Sequence, residues 1–141
     1  MKNNTYKIEC PEDKKLLGIL VPQQKLKSDH SRIFHDGIME LILDEDLTGT
    51  DLRAFLGILA NLEYENSFTM SLTSLSTKLG IQRPDLSKAV SKLIKKNYLH
   101  KVGKQGQINH YMVDPRIVFR SRVSKLSKVI NRWDDLPQFH H

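Results

Sequence analysis

Apolar residues recur along this chain in short bursts at helical spacing, and the clearest two bursts lie between Ser71 and Leu99. Leu72, Leu75 and Leu79 form one stripe at three- and four-residue intervals, and Thr73 is predicted as the N-cap whose hydroxyl accepts a first-turn N–H. Gly80 predicts the end of that helix, since glycine enters the left-handed region without a Cβ penalty. Ile81 and Gln82 then make a turn. Pro84 falls where a helix start tolerates proline, and Asp85 complements the positive end of the dipole. Leu86, Ala89, Val90, Leu93 and Ile94 supply the inner stripe of a second helix. Together these signals predict two helices joined by a tight turn.

The pattern changes period after the second helix. Asn97 is suited to the left-handed residue that closes a helix, and Tyr98, Leu99, Lys101 and Val102 read as a strand. Residues 103–107, bounded by Gly103 and Gly106, predict a turn, and Ile108 to Val113 the returning strand. A hairpin behind such a helix pair is a wing. Asp114 and Pro115 stop it. Val123, Leu126, Ile130 and Trp133 then recur at three and four residues and predict a terminal helix capped by Ser121 or a neighbour. Its basic outer face carries Arg122, Lys125, Lys128 and Arg132; packing on the monomer and pairing with a two-fold partner are both open for this helix.

Ahead of the helix pair, Ile33, Phe34, Ile38, Leu41 and Ile42 predict a short amphipathic helix, followed by an acidic bend at Asp44, Glu45 and Asp46 that reads as solvated. Thr48 or Thr50 caps the next helix, whose stripe is Leu52, Phe55, Leu56, Leu59 and Leu62. Asn66 to Met70 reads as a turn into a short extended segment. Near the N-terminus, Tyr6 to Cys10 reads as a short strand, and Leu16 to Val21 as a strand or a buried helical turn. Gln23 to Ser31 is polar and reads as a linker or arm; a flexible solvated segment is the commoner reading, and contact of Lys25, Lys27 and Arg32 with a phosphate backbone is the alternative. The expected fold class is α+β, mainly helical: a winged helix-turn-helix (33–119) with an N-terminal extension (1–32) and a C-terminal helix and tail (120–141).

Charge sharpens this picture more than composition does. The 141 residues carry a formal net charge of +6, but the distribution is lopsided. Residues 36–66 hold eight acids and one base, whereas residues 67–133 hold fourteen bases and two acids. Such a field draws a polyanion to the helix-pair side. Opposite the inner stripe of the second helix lie Ser87, Lys88, Ser91, Lys92 and Lys95, with no carboxylate after the first turn. A solvated lysine face is the commoner explanation of such a run. The turn, the missing acids and the following hairpin favour insertion into a major groove.

Other chemistries find little support. Cys10 is the single cysteine, so no internal disulfide and no cysteine-rich zinc site is expected, and His30, His35, His100 and His110 lack ligand spacing and read as surface or packing histidines. His140 and His141 form a terminal pair left out of the argument. The hairpin glycines are not a nucleotide loop, as no Lys-Ser or Lys-Thr closes a Walker pattern. No nucleophile sits beside a base, which predicts a non-enzyme without cofactor, metal or small-molecule ligand. No apolar run approaches the ~20 residues of a membrane span, and the first fifteen residues lack the apolar core of a signal peptide, so a cytoplasmic protein is expected.

Residues 47–119 resemble the winged helix-turn-helix superfamily and, more narrowly, the RepL family of plasmid replication proteins. The resembling residues are Leu47-Thr48-Gly49 with Arg53, Leu79-Gly80-Ile81, Leu86-Ser87-Lys88-Ala89-Val90-Ser91-Lys92-Leu93, and Tyr111-Met112-Val113-Asp114-Pro115. Two positions depart from the family pattern: Asn97 stands for a glycine and Asp114 for an asparagine. The resemblance implies plasmid replication initiation or control and assigns Ser87, Lys88, Ser91 and Lys92 to the DNA-facing side. On the residues themselves, the expected ligand is double-stranded DNA. Gln82 and Ser87 are candidates for base edges, Arg83 for a guanine edge or a phosphate, and Lys88, Lys92, Lys95, Lys101 and Lys104 for phosphates. Gln105 and Gln107 join Lys104 at the hairpin tip, and Ser91 lies on the helix face. A transcriptional regulator and a protein-protein interaction module are the alternatives.

Overall fold

The computed structural model describes residues 30–138, together with the backbone of residues 6–9 and 16–20. The chain divides into two units, residues 1–30 and 31–141. The first unit contains an antiparallel strand pair, β1 (Tyr6–Glu9) and β2 (Leu16–Leu20), so the apolar run from Leu16 is a strand. Cys10, Lys25, Lys27, His140 and His141 lie outside the described residues.

The second unit is an α+β fold. In order it holds β3 (Arg32–Ile33), α1 (His35–Ile42), α2 (Gly49–Ala60), β4 (Ser67–Phe68), α3 (Leu72–Leu79), α4 (Arg83–Lys95), β5 (Leu99–Gln105), β6 (Ile108–Val113), β7 (Val118–Phe119) and α5 (Leu126–Asp134). The strands make two antiparallel sheets, β4-β6-β5 and β3-β7. One apolar cluster joins α2, α3, α4 and the three-stranded sheet through Phe55, Ile58, Leu75, Leu86, Leu93 and Leu99. Met112, Phe119, Val129 and Trp133 form a smaller one under α5.

Local chemistry explains the element ends. Thr48 caps α2 in a reciprocal box: its Oγ1 accepts the Asp51 N–H at 3.2 Å, and Asp51 Oδ2 accepts the Thr48 N–H at 2.8 Å. Gly80 ends α3 at φ 65° and Asn97 follows α4 at φ 62°, both left-handed as their residue types suggested. The β5-β6 turn is tighter than expected. Gln105 pairs with Ile108, so Gly106 and Gln107 alone make the loop, with Gly106 at φ 61°.

Several expectations need correction. Ser71, not Thr73, caps α3, accepting the Ser74 N–H at 3.1 Å. Ile33 belongs to β3 and is exposed, as is Ile42, so α1 is anchored mainly by Leu41 and Gly37. A Cβ on Gly37 would lie 2.3 Å from the Arg116 carbonyl oxygen: α1 docks by backbone approach instead of a wide side-chain stripe. Leu56 is exposed, and Ala54 and Ile58 take its place in the core. Ser121 and Val123 precede α5, which starts at Leu126 after a short 3-10 turn.

Asn66 is the polar centre of the unit. Fully buried and left-handed at φ 61°, it donates from Nδ2 to the carbonyls of Val113 (3.0 Å) and Val118 (2.7 Å), and its Oδ1 accepts the Arg120 N–H at 2.9 Å. One side chain therefore fastens the end of β6 to β7. At the far side, Arg116 grips Asp134 with two bonds of 2.8 Å, tying the β6-β7 connection to α5.

Candidate nucleic-acid interface

Helix α4 presents two unlike sides because its inner residues are spaced to meet the core. Leu86, Ala89, Val90 and Leu93 are buried, and the opposite side is left to polar residues. Pro84, Ser87, Lys88, Ser91, Lys92 and Lys95 line an open depression there. Gln82 occupies the N-cap position yet makes no capping bond with its side chain. Asp85 sits in the first turn and Lys92 and Lys95 in the last, each matched to the helix dipole.

The sequence-predicted residues fall on two consecutive elements. Gln82, Arg83, Lys88, Ser91 and Lys95 are exposed on α4, and Ser87 and Lys92 are half-buried. Lys101, Lys104, Gln105 and Gln107 are exposed on the hairpin, whose first strand packs beside α4. Among the described residues, Arg83, Lys88, Lys95, Lys101 and Lys104 have no acidic partner.

Lys92 differs from its neighbours. Its ammonium donates to Asp51 Oδ2 at 2.8 Å and to the Asp46 carbonyl at 3.2 Å. Lys96, one turn on, lies 3.4 Å from Asp44 Oδ1 and bonds Asp46 as well. The acidic bend that reads as simply solvated in sequence is thus a cradle for Lys92 of α4 and for Lys96, the residue at its C-cap. Asp44 is further bonded by the Tyr98 hydroxyl at 2.6 Å. Burial alone would raise the pKa of Asp51, but Lys92 and the Thr48 amide and hydroxyl together hold it below the ordinary carboxylate value. Asp44 behaves alike: burial raises it, and Tyr98, the Asp46 amide and Lys96 bring it below. Tyr98 is driven far upward, first by burial and then by the Asp44 carboxylate.

Three functional or architectural residues were missed in the sequence: Asp51, Asp44 and Asn66. The only local signal was the Thr48-x-x-Asp51 spacing of a capping box, which places a carboxylate at the start of α2 but says nothing of Lys92. Other readings are resolved by position. His100 is a packing histidine, its ring 4.8 Å from that of Trp133, with Nε2 3.3 Å from Gln138 Oε1. Among the described residues no three His, Cys, Asp or Glu side chains converge as a metal-binding group, and no helix is long and apolar enough to cross a membrane. Comparison with known protein families, curated proteins and solved structures returns no match for this chain.

Proposed function

We propose that this chain is a winged helix-turn-helix protein that binds double-stranded DNA, with α3 and α4 as the helix pair, α4 as the reading helix and the β5-β6 hairpin as the wing. The observation that carries the reading is the set of cations without acidic partners on two adjoining elements: Arg83, Lys88 and Lys95 on α4, and Lys101 and Lys104 on β5. A duplex supplies phosphates to both elements at once. Gln82, Ser87 and Ser91 offer short or flexible hydrogen-bonding groups for base edges. Gln105 and Gln107 extend the polar surface to the hairpin tip. The further assignment to plasmid replication initiation or control is carried by the RepL-like residues of the sequence.

The test is a titration of labelled duplex by fluorescence anisotropy across low to moderate salt. Five phosphate contacts predict log K falling with log salt at a slope of about −4.5. A slope near zero refutes the proposal. Selection of bound sites from random duplexes then separates the two roles: an iterated origin sequence supports replication, and promoter sites support a transcriptional regulator. If Lys88→Ala with Lys95→Ala leaves DNA affinity intact but abolishes a complex with an acidic protein, the chain is an interaction module instead.

A further inference from the structure

We infer that Lys92 and Lys96 are positioning residues, which lock α4 to the Asp44–Asp51 segment and leave phosphate contact on this helix to Arg83, Lys88 and Lys95. The inference rests on the reading of α4 as a polyanion-binding helix and divides its cations into two classes.

Lys88, Lys92 and Lys95 share one side of α4 at intervals of four and three residues, so spacing alone makes them equivalent. Their partners do not. An ammonium has three N–H donors, and Lys92 directs two of them inward, to Asp51 Oδ2 and the Asp46 carbonyl. The Asp51 side chain is only 6% exposed. Turning Lys92 outward to a phosphate would leave that buried carboxylate without its counter-charge, so the gain at the ligand is offset by a loss inside the protein. Lys96 is held between Asp44 and Asp46 and is the less exposed of the two lysines. Lys88 and Lys95 have no such tie and can take a phosphate without uncovering anything.

The same carboxylate also caps α2, through the Thr48 N–H. Asp51 therefore fixes where α2 begins and where the last turns of α4 lie relative to it. The acids of this segment act on DNA indirectly, by setting the pose of the helix that meets it.

Two measurements test this. In the first, surface amines of the wild-type protein are acetylated and quantified by mass spectrometry, with and without a mixed-sequence duplex of about two helical turns. Lys92 and Lys96 are expected to react slowly in both states, and Lys88 and Lys95 to react fast alone and slowly with DNA. In the second, the salt slope of DNA affinity is measured for single variants. Lys88→Gln and Lys95→Gln should each make it shallower by about 0.9. Lys92→Gln should lower affinity by one factor at every salt concentration with the slope unchanged, and Lys92→Arg should restore it. Fast acetylation of Lys92 in the free protein overturns the inference, as does DNA-dependent protection at Lys92 or a slope shallower by about 0.9 in Lys92→Gln. A wild-type slope near zero instead removes the DNA reading, and the footprint of the free protein still decides whether Lys92 is locked.

Discussion

Replacing Asn66 should be among the most damaging single changes in this protein. Its amide makes three bonds to backbone groups, at 3.0, 2.7 and 2.9 Å, from a site with no exposure to water. Asn66→Ala removes all three and leaves the Val113 and Val118 carbonyls and the Arg120 N–H facing a small void. Each orphaned buried group costs about 1–3 kcal/mol, with the N–H least able to find another partner. Alanine at φ 61° adds about 1 kcal/mol of backbone strain that asparagine tolerates better. The sum is a loss of at least about 4 kcal/mol, a large share of the stability of a small domain. Asn66→Gly loses the same bonds without the strain and should recover about 1 kcal/mol relative to alanine. Urea unfolding followed through the fluorescence of Trp133, the single tryptophan and a buried one, measures both. The midpoint for Asn66→Ala should fall by more than about 1 M. A cost below about 1 kcal/mol would refute the bonding argument, and a glycine variant no better than alanine would refute the strain argument.

Three further outcomes follow from the same geometry. Gly37→Ala puts a Cβ 2.3 Å from the Arg116 carbonyl oxygen and 2.7 Å from the Ile117 Cα, so despite alanine's better helix propensity it should cost about 2 kcal/mol. A melting curve should show a Tm lower by roughly 10 °C, and an unchanged Tm would mean that the backbones can part freely. Asp44 and Asp51 both titrate below their ordinary value of 3.8 in the folded protein, so their contribution is complete above that pH and is lost as pH falls through the lower folded values. Acid unfolding monitored by circular dichroism should therefore be steeper in the wild type than in Asp51→Asn. Asp114 is the opposite case: burial raises it above 3.8, and its bond from the Arg116 N–H at 2.9 Å only partly compensates. Its ionisation opposes folding as pH rises past 3.8, so Asp114→Asn, which keeps an acceptor for that N–H, should raise the urea midpoint at neutral pH and lose the advantage in acid.

What could be read from the sequence was what local chemistry decides. Gly80 and Asn97 announce left-handed helix ends, the stripe Leu86, Ala89, Val90 and Leu93 fixes which side of α4 is inward, and Ile108 to Val113 is the strand that returns after the glycine-bearing turn. The misreadings occurred where a tertiary contact overrides a short pattern. Helix α1 has only eight residues, and its approach through Gly37 leaves Met39, Ile42 and Leu43 outside, although their residue types argue for burial. The cap of α3 is Ser71 and not Thr73: three hydroxyl residues stand among four positions, and the slight preference for serine over threonine as a cap does not by itself fix which position begins the helix. For the candidate site, the residues facing outward were legible and their partners were not. Lys92 and Asp51 are 41 residues apart, and Tyr98 and Asp44 are 54 apart. No periodicity within one element carries a pairing between two.

The hairpin has a mechanical character of its own. From Lys101 to Ile108 every residue is exposed: five residues of β5, the two-residue turn and the first residue of β6, with Asn109 and His110 half-buried below them. Its root is clamped, with Tyr111 and Leu99 buried, and the pairing register shifts just above it between Lys101 and Gly103. A beam held at one end with an irregular joint near the clamp turns a few degrees of local twist into a displacement of ångströms at Gly106. On the proposed DNA reading, the tip can follow a surface whose contour differs from site to site, and its supporting body need not repack to let it.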